Sequence, residues 1–495
     1  MTSTTARSLE SLRIGPGISA LGEGFVERRD PTPLPDPYLV AFNPDVAGLL
    51  GFDACEAERP EFLRLASGIA RFEPVQSYAA VYAGHQFGTY VTQLGDGRAI
   101  GLCEILSPSG ERYEWQLKGA GLTAFSRFAD GRAVLRSTVR EYLASEALHH
   151  LGIPTTRALA IAGSNFPVYR ESVETAAVLS RVAPTHVRFG SFEYFHYRRL
   201  PGELRRLADY TIENFFPHLA QLSETGRYAS FLSEVVERTA RLVAQWQAVG
   251  FAHGVLNTDN MSILGITLDY GPYGFSETFD PGFICNHSDE MGRYAFGRQP
   301  AIGLWNCRAL AHAFESLVDE ANRDRVLARY EPAFESAYGA AMRAKLGLSE
   351  CRDADLSLIE DVLDVLERGR ADYTRFFRAL SILTRAPSAQ DANVASTFDN
   401  PEPLRDWLGA YRERLAAEGS DDVRRQPAML AVNPKFVLRN HLAQFAIAAA
   451  QEGDYSEIAR LHGILRRPYD EDAGDERYAR SAPPGTPPIE VSCSS

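Results

Sequence analysis

The segment HGVLNTDNMSILGITLDYG, residues 253–271, decides both the fold and the chemistry that we predict for this chain. We predict a small β-hairpin that turns at Gly265, with Asn260 just before it and Asp269 just after it. The two oxygen-bearing side chains would then lie at the same end of the hairpin. Hard oxygen ligands held this close suit Mg²⁺ or Mn²⁺ bound to nucleotide phosphates.

Upstream of this segment, the sequence predicts the other half of a nucleotide site. A Gly-Asp-Gly turn centred on Asp96 predicts a glycine-rich hairpin over residues 90–106, and a third strand then ends at Lys118. Apolar residues at helical spacing predict a helix over residues 134–151, which carries Glu141. A lysine held by a helix glutamate is a fixed positive charge for phosphates.

The order of these features resembles that of a protein kinase, in which DYG at residues 269–271 corresponds to D-F-G. The loop over residues 253–260 matches the His, Leu and Asn of H-R-D-L-x-x-x-N, but Val255 occupies the position of the base aspartate. Asp259 is the only carboxylate of this loop that could replace that base. Each feature alone is common in proteins, and only their order favours a nucleotide site.

Composition limits the class of protein. The 495 residues are 45% hydrophobic and 23% charged, as in a globular protein, and the formal net charge is −13. An acidic chain is a poor candidate for wrapping nucleic acid, so we expect no nucleic-acid partner. No apolar run approaches the roughly 18 residues of a membrane helix, so we expect no membrane partner. The first residues lack a secretory leader, which favours the cytoplasm, or the mitochondrion if the source is eukaryotic.

We therefore predict an α+β, protein-kinase-like, two-lobed fold with four parts. An N-terminal extension covers residues 1–74, and a mixed N-lobe of strands and one helix covers 75–185. A mainly helical C-lobe with the catalytic loop and metal site covers 186–468. Proline, glycine and charged residues predict a flexible tail over 469–495.

Longer motifs carry a closer resemblance, over about residues 30–495. They are YAGHQFG (82–88), QLGDGR (93–98), QLKGAG (116–121), DGRAVLRS (130–137), HGVLNTDNM (253–261), FICNHSD (283–289) and NPK (433–435). In these motifs the chain resembles the selenoprotein O (YdiU) family of pseudokinases that act as protein adenylyltransferases. The resemblance implies that ATP binds inverted relative to a kinase, so that AMP passes to a Ser, Thr or Tyr hydroxyl of a protein and pyrophosphate leaves.

The resemblance also implies the roles of individual residues, together with Mg²⁺ or Mn²⁺ and ATP as co-substrate. Asn260 and Asp269 would bind the metal, Asp259 would accept the proton, and Glu141 would orient Lys118. The residues that would contact the nucleotide are Gly95, Gly97, Arg98, Lys118, Asp130, Gly131, Arg181, Arg188 and Asp269. Protein acceptors would include the enzyme itself.

Two of the six cysteines suggest redox regulation. Cys493 stands near the C-terminal end, where some relatives of the family have selenocysteine, and Cys285 follows the DYG motif. We hypothesise a reversible disulfide between them, and the alternative is two unrelated thiols.

Three other functions are compatible with part of the sequence. An ordinary protein kinase would transfer the γ-phosphate, and Val255 argues against it. A non-catalytic pseudokinase scaffold would not need Asn260 and Asp269, which are both intact. A UMP transferase would share the same phosphate chemistry, and no residue of the sequence identifies the base.

Overall fold

The computed structural model describes residues 7–471, 473–483, 485–486, 489 and 491. Within this part of the chain, strands dominate the first 183 residues and helices dominate the rest. The protein is therefore a mixed α+β protein with a large antiparallel sheet and many helices.

Most strands of the described chain belong to one antiparallel sheet. The strands are β1 (Arg13–Gly15), β2 (Val26–Arg28), β3 (Tyr38–Phe42), β4 (Tyr78–Ala80), β5 (Gly84–Gln86), β6 (Thr89–Val91), β7 (Ala99–Leu106), β8 (Arg112–Lys118), β9 (Ala133–Val134), β10 (Arg157–Tyr169), β11 (Val173–Ala183), β12 (Phe251–Ala252) and β13 (Gly274–Phe275). The sheet runs β2-β4-β7-β8-β11-β10-β3, with β1 beside β7 and β9 beside β11. Strands of the predicted N-terminal extension thus join the same sheet as the predicted N-lobe.

The helices cover the sheet and form the second half of the molecule. They are α1 (Pro44–Leu50), α2 (Pro60–Ala66), α3 (Leu135–His150), α4 (Phe189–Tyr197), α5 (Pro201–Phe215), α6 (Glu224–Val249), α7 (Gln299–Ala313), α8 (Glu320–Leu327), α9 (Tyr330–Lys345), α10 (Asp355–Arg368), α11 (Tyr373–Leu380), α12 (Gln390–Ala395), α13 (Leu404–Ala417), α14 (Asp422–Leu430), α15 (Asn440–Gln451) and α16 (Ser456–Leu465). The part of the chain described here contains no helix long and apolar enough to cross a membrane.

Helices lie on both faces of the sheet, so both faces are apolar. Val178 belongs to the core shared with α1 and α2, whereas the next residue, Leu179, belongs to the core shared with α3, α15 and α16. Successive side chains of a strand point to opposite faces, which explains the alternation. The sheet therefore fixes the position of β8, which carries Lys118, relative to α3, which carries Glu141.

The predicted helix over residues 134–151 is confirmed as α3, and β10 and β11 follow it. Its end follows the sequence signal, since Gly152 adopts a left-handed conformation (φ +79°) and Pro154 cannot continue a helix. The stretch over residues 250–298 is irregular, with short strands and 3₁₀ turns.

Two predicted hairpins are wrong. In the stretch 90–106, β6 pairs with β5, and β7 pairs instead with β8, β4 and β1. The chain between β6 and β7 turns back to bond with Tyr82 and Ala80 rather than forming a hairpin turn. After Asn260, Gly265 does make a turn, but Ser262 bridges to Arg188 and Thr267 bridges to Thr155 instead of to each other.

The described part of the predicted flexible tail lies against the helical half. A 3₁₀ helix covers Ala473–Tyr478, and Tyr478 is buried. The Ser481 hydroxyl donates to Asp372, and the carbonyl of buried Val491 accepts from the amide of His287. The tail thus returns to the segment that follows the DYG motif.

Candidate active site

A cavity of about 580 Å³ lies between the sheet and the irregular stretch that holds the predicted catalytic loop, residues 253–260. Its wall includes charged and amide side chains that the sequence places up to 171 residues apart: Arg98, Lys118, Arg181, Asp259, Asn260 and Asp269. The cavity therefore gathers residues from β8, β11 and the segment 253–271.

Asp269 is the electrostatic centre of this cavity. Its Oδ1 accepts from Arg181 Nη1 at 2.6 Å and from Lys118 Nζ at 3.3 Å, and its Oδ2 accepts from Arg188 Nη1 at 2.7 Å. Burial alone would raise the pKa of this carboxyl, but the charges of Arg181, Arg188 and Lys118 outweigh it and hold the pKa well below the usual range. Asp269 therefore stays ionised.

Glu141 is a second carboxylate that pairs with Lys118 and Arg181. Its Oε2 accepts from Lys118 Nζ at 2.5 Å, and its Oε1 accepts from Arg181 Nη1 at 3.2 Å. Glu141 is 3% exposed, because α3 lies across the sheet at this point. The helix glutamate thus fixes the lysine of β8 and the arginine of β11 in one network.

The catalytic loop presents two polar side chains to the same cavity. The Asn260 amide nitrogen donates to the Val255 carbonyl at 3.0 Å, so its oxygen is the atom that it can offer to a cation. Asp259 Oδ2 accepts from Gln86 Nε2 at 3.2 Å, while its Oδ1 is buried without a described partner. Burial raises the pKa of Asp259 to about 7.

The two glycines of the Gly-Asp-Gly turn line the cavity because nothing larger fits. A Cβ on Gly95, which has φ +68°, would lie 2.2 Å from the Phe125 ring, and a Cβ on Gly97 would lie 3.0 Å from the Phe125 carbonyl oxygen. Arg98 follows them in the wall, and burial lowers its pKa. Arg98 is a positive group facing space that a phosphate could occupy.

Three of the predicted nucleotide contacts lie behind the cavity wall. Arg188 acts through Asp269 and through the Asp259 carbonyl, to which its Nη1 donates at 2.8 Å. Asp130 accepts from both Nη atoms of Arg170, which does line the cavity. Gly131, with φ +72°, lies so close to Gly121 that a Cβ would fall 2.2 Å from its carbonyl carbon. These residues support the wall in this structure.

Comparison with known proteins matches this site to a family. The family described as "Protein adenylyltransferase SelO" matches residues 8–466. A "Protein nucleotidyltransferase YdiU" of Myxococcus xanthus is 53% identical, over 99% of this chain and 100% of the relative. A protein of the same name from Thioalkalivibrio sulfidiphilus is 53% identical over 98% and 99%, and one from Thiobacillus denitrificans is 50% identical over 99% and 100%.

The chain belongs to the SelO family. Membership of the SelO family makes it an enzyme of the nucleotidyltransferase class, which uses a nucleotide substrate.

The residues at the cavity fit a divalent cation bound together with a nucleotide. Among the described residues, no group of three or more His, Cys, Asp and Glu side chains forms a complete metal site. Asn260 and Asp269 nevertheless supply two oxygen ligands on one wall, and Mg²⁺ commonly takes one or two protein carboxylates and completes its shell with phosphate oxygens and water. The cavity of this SelO-family chain therefore fits a metal ion that binds together with the nucleotide.

Sequence reasoning missed several residues that contact the catalytic loop. Gln86 and His85 belong to the YAGHQFG motif, which carried the resemblance but received no role, and Glu193 lies in α4. Gln86 bonds to Asp259, and Glu193 bonds to His85 and to Thr258. The motif itself was the only signal, because these partners are 65 to 173 residues apart in sequence.

Cys285 lies beside the catalytic loop. Its side chain is buried, and a Cβ on Gly254 would fall 2.7 Å from its Sγ. Cys493 lies outside the described residues, and Val491, two positions before it, contacts His287, two positions after Cys285.

Proposed function

We propose that this SelO-family enzyme transfers AMP from ATP to Ser, Thr or Tyr hydroxyls of proteins, itself included, and releases pyrophosphate. One observation carries the proposal: Lys118, Arg181 and Arg188 converge on Asp269, while Asp259, which lines the same cavity, has no ion pair among the described residues. A pyrophosphate leaving group bears more charge than one lysine neutralises, so several cations suit it.

The proposal includes a kinase-like arrangement of two lobes. The N-lobe would span residues 75–185 and the C-lobe 186–468, preceded by the extension 1–74 and followed by the tail 469–495. The Lys118–Glu141 pair, linking a strand of the sheet to the helix across it, supports this arrangement. ATP would lie in the cavity between the lobes with its α-phosphate toward Asp259.

In the proposed reaction, the acceptor hydroxyl oxygen forms a bond to the α-phosphorus, and the bond from that phosphorus to the bridging oxygen breaks. Pyrophosphate leaves with the electron pair, and the hydroxyl proton passes to Asp259. Arg98, Lys118 and Arg181 bind the outer phosphates, and Glu141 holds Lys118 in place. Asn260 and Asp269 would hold a divalent ion, Mg²⁺ or Mn²⁺, whose charge would offset that of the phosphates.

Other functions are less well supported. γ-Phosphate transfer lacks its base, because Val255 stands at that position and lines the cavity. A non-catalytic scaffold gives no reason for the buried charges around Asp269. UMP transfer is the second candidate, because the cations that line the cavity would bind the phosphates of UTP as well as those of ATP.

The proposal is tested with ATP labelled at the α-phosphate and, separately, at the γ-phosphate, in Mg²⁺ and in Mn²⁺. We expect α-label and no γ-label on protein, and intact mass analysis should show the addition of AMP to the enzyme. Asp259→Asn should abolish most of the labelling. Label from the γ-phosphate alone would overturn the proposal, and preferential labelling from α-labelled UTP in competition would replace AMP with UMP.

We propose in addition that a reversible disulfide between Cys285 and Cys493 links activity to redox state. The position of Cys285 against Gly254 of the catalytic loop supports it, as does the contact of Val491 with His287. Two thiols would give two protons and two electrons to an oxidant such as a glutathione disulfide. Oxidised wild type should migrate faster than reduced wild type on a non-reducing gel, whereas Cys493→Ser should show no shift. An unchanged wild type would contradict the proposal.

A further inference from the structure

A short hairpin outside the main sheet is attached to the catalytic loop. It consists of β5 and β6, which pair only with each other among the described strands. The His85 amide donates to the Thr258 hydroxyl at 2.7 Å, and Gln86 Nε2 donates to Asp259 Oδ2 at 3.2 Å. The Phe87 amide donates to Asn257 Oδ1 at 3.2 Å. Three successive residues of the hairpin thus bond to three successive residues of the loop.

A buried carboxylate joins the two segments from behind. Glu193 in α4 has no exposed surface. Its Oε1 lies 2.7 Å from His85 Nδ1, and its Oε2 accepts from the Thr258 hydroxyl at 2.5 Å. Because a buried carboxylate is costly without partners, these two contacts hold the hairpin and the loop in a fixed relative position.

Two glycines allow the hairpin, the loop and α4 to approach this closely. A Cβ on Gly84 would lie 3.0 Å from the Asp259 amide nitrogen and 3.1 Å from its Cβ. A Cβ on Gly190 would lie 2.1 Å from the carbonyl oxygen of Ala83. The absence of side chains at these positions lets Gln86 reach Asp259 at the wall of the cavity.

We propose that Gln86 is a positioning residue for nucleotidyl transfer, held by the Glu193 contacts so that it orients the Asp259 carboxylate toward the acceptor hydroxyl. This inference rests on the proposed function, in which Asp259 touches the acceptor. Gln86 bonds to Oδ2, while Oδ1 is buried without a partner among the described residues, so the Gln86 hydrogen bond is the contact that fixes this carboxylate. A carboxylate held by a hydrogen bond keeps one orientation, which lowers the cost of reaching the transition state.

Kinetics of Gln86→Met test the role, because methionine has the length of glutamine but no donor. We expect kcat to fall about 10- to 100-fold with KM for ATP unchanged within about twofold. Thr258→Val should lower kcat by a similar factor, because the Thr258 hydroxyl bonds to His85 and Glu193. Thr258→Ser keeps the hydroxyl and should retain most of the wild-type kcat. Gln76→Met, at an exposed glutamine outside the cavity, is the matched control and should leave kcat unchanged. An unchanged kcat for Gln86→Met in an active preparation would overturn the inference but not the proposed function.

A second measurement does not depend on activity. The melting temperature Tm is compared for Gln86→Met in the wild type and in an Asp259→Leu background. We expect Gln86→Met to lower Tm in the wild type and to have little effect once Asp259 is gone, because the two residues share one hydrogen bond. Equal changes in Tm in both backgrounds would overturn the inference. A wild type that transfers no AMP would instead overturn the proposed function, while this cycle still decides the contact.

Discussion

Two carboxylates ten residues apart in the chain share one cavity wall but have opposite surroundings. Asp269 accepts from Arg181, Arg188 and Lys118. Asp259 is the more buried of the two, at 7% exposed, yet its side chain accepts only from Gln86 among the described residues. The pKa of Asp269 lies well below its usual range, and burial raises that of Asp259 to about 7.

Under the proposed function, this difference gives the same chemical group two roles in one site. A carboxylate surrounded by cations stays charged and suits a metal and its phosphates, whereas a desolvated carboxylate with a pKa near neutrality suits proton transfer. The distinction comes from the neighbours rather than from the residue type, so exchanging or removing those neighbours should blur it. Three substitutions test this comparison.

The largest effect is expected at Asp269. In Asp269→Asn, Lys118, Arg181 and Arg188 lose their shared negative partner, and a buried charge without its partner costs about 3–5 kcal/mol. AMP transfer should fall by roughly 10³-fold or more, because both the metal ligand and the alignment of the cations are lost. Urea unfolding and the rate of labelling from α-labelled ATP measure the two effects.

The matched control for Asp269→Asn is Asp364→Asn, which removes an exposed ion pair with Arg368 at 3.0 Å. An exposed pair contributes about 0–1 kcal/mol, so stability and activity should stay close to the wild type. Equal losses in the two variants would show that the cavity cations are not organised by Asp269, and the comparison would fail.

Asp259 should behave in the opposite way. Asp259→Asn should lower AMP transfer about 10²- to 10⁴-fold, as expected for loss of a proton acceptor, yet increase stability at neutral and alkaline pH. In the folded protein the pKa is raised from 3.8 to about 7, so wild-type stability falls as pH rises through this window and then stays low. Asparagine does not ionise and avoids this loss, which amounts to roughly 2–4 kcal/mol above pH 7.

Thermal unfolding of the metal-free proteins between pH 4 and pH 9 measures this effect. The stability curves of wild type and Asp259→Asn should converge near pH 4 and separate by pH 8, with the variant above. Parallel curves would mean that Asp259 titrates as in solution, and its contrast with Asp269 would disappear.

Much of the architecture follows from local sequence signals. The helix α3 follows from apolar residues at helical spacing and from Gly152 and Pro154 at its end, and β10 and β11 each contain a short apolar run, at residues 158–162 and 176–179. The hairpin predicted about Asp96 fails for a tertiary reason. The amides of Gly95 and Asp96 bond to the carbonyls of Tyr82 and Ala80, which lie on a segment that no local rule connects with the turn.

The same division applies to the site. The order of Lys118, Glu141, Asn260 and Asp269 along the chain was enough to predict that they share one cavity, with Lys118 at the end of β8 and Glu141 within α3. The hairpin expected between Asn260 and Asp269 does not form, but pairing of each half with another segment keeps the two residues at one wall. The contact between Gln86 and Asp259, which are 173 residues apart, depends on tertiary packing that cannot be inferred from a single sequence.

The smallest effect is expected at a buried cation far from the catalytic loop. At this cation the effect of desolvation on the pKa can be measured separately from the effect of neighbouring charges. Lys345 is one of only three lysines in the chain and is 4% exposed. Among described residues its ammonium has no ion pair, and it lies over the rings of Phe377 at 4.2 Å and Tyr373 at 5.5 Å. Burial lowers its pKa to about 7. It is therefore the cationic counterpart of Asp259.

Lys345→Met should raise stability below pH 7 by roughly 1–3 kcal/mol, since a charged ammonium must otherwise be kept in an apolar site. Between pH 7 and about 10.5 the unfolded lysine holds a proton that the folded one has released, so wild-type stability rises and the advantage of the variant shrinks. Lys435→Met is the contrasting control, because Lys435 pairs with Glu471 and Glu476 and its loss should lower stability. If both methionine variants lost stability at pH 6, burial alone would not explain the pKa shifts of Lys345 and Asp259. The presence or absence of opposite charge would then not be the cause of the contrast between Asp259 and Asp269.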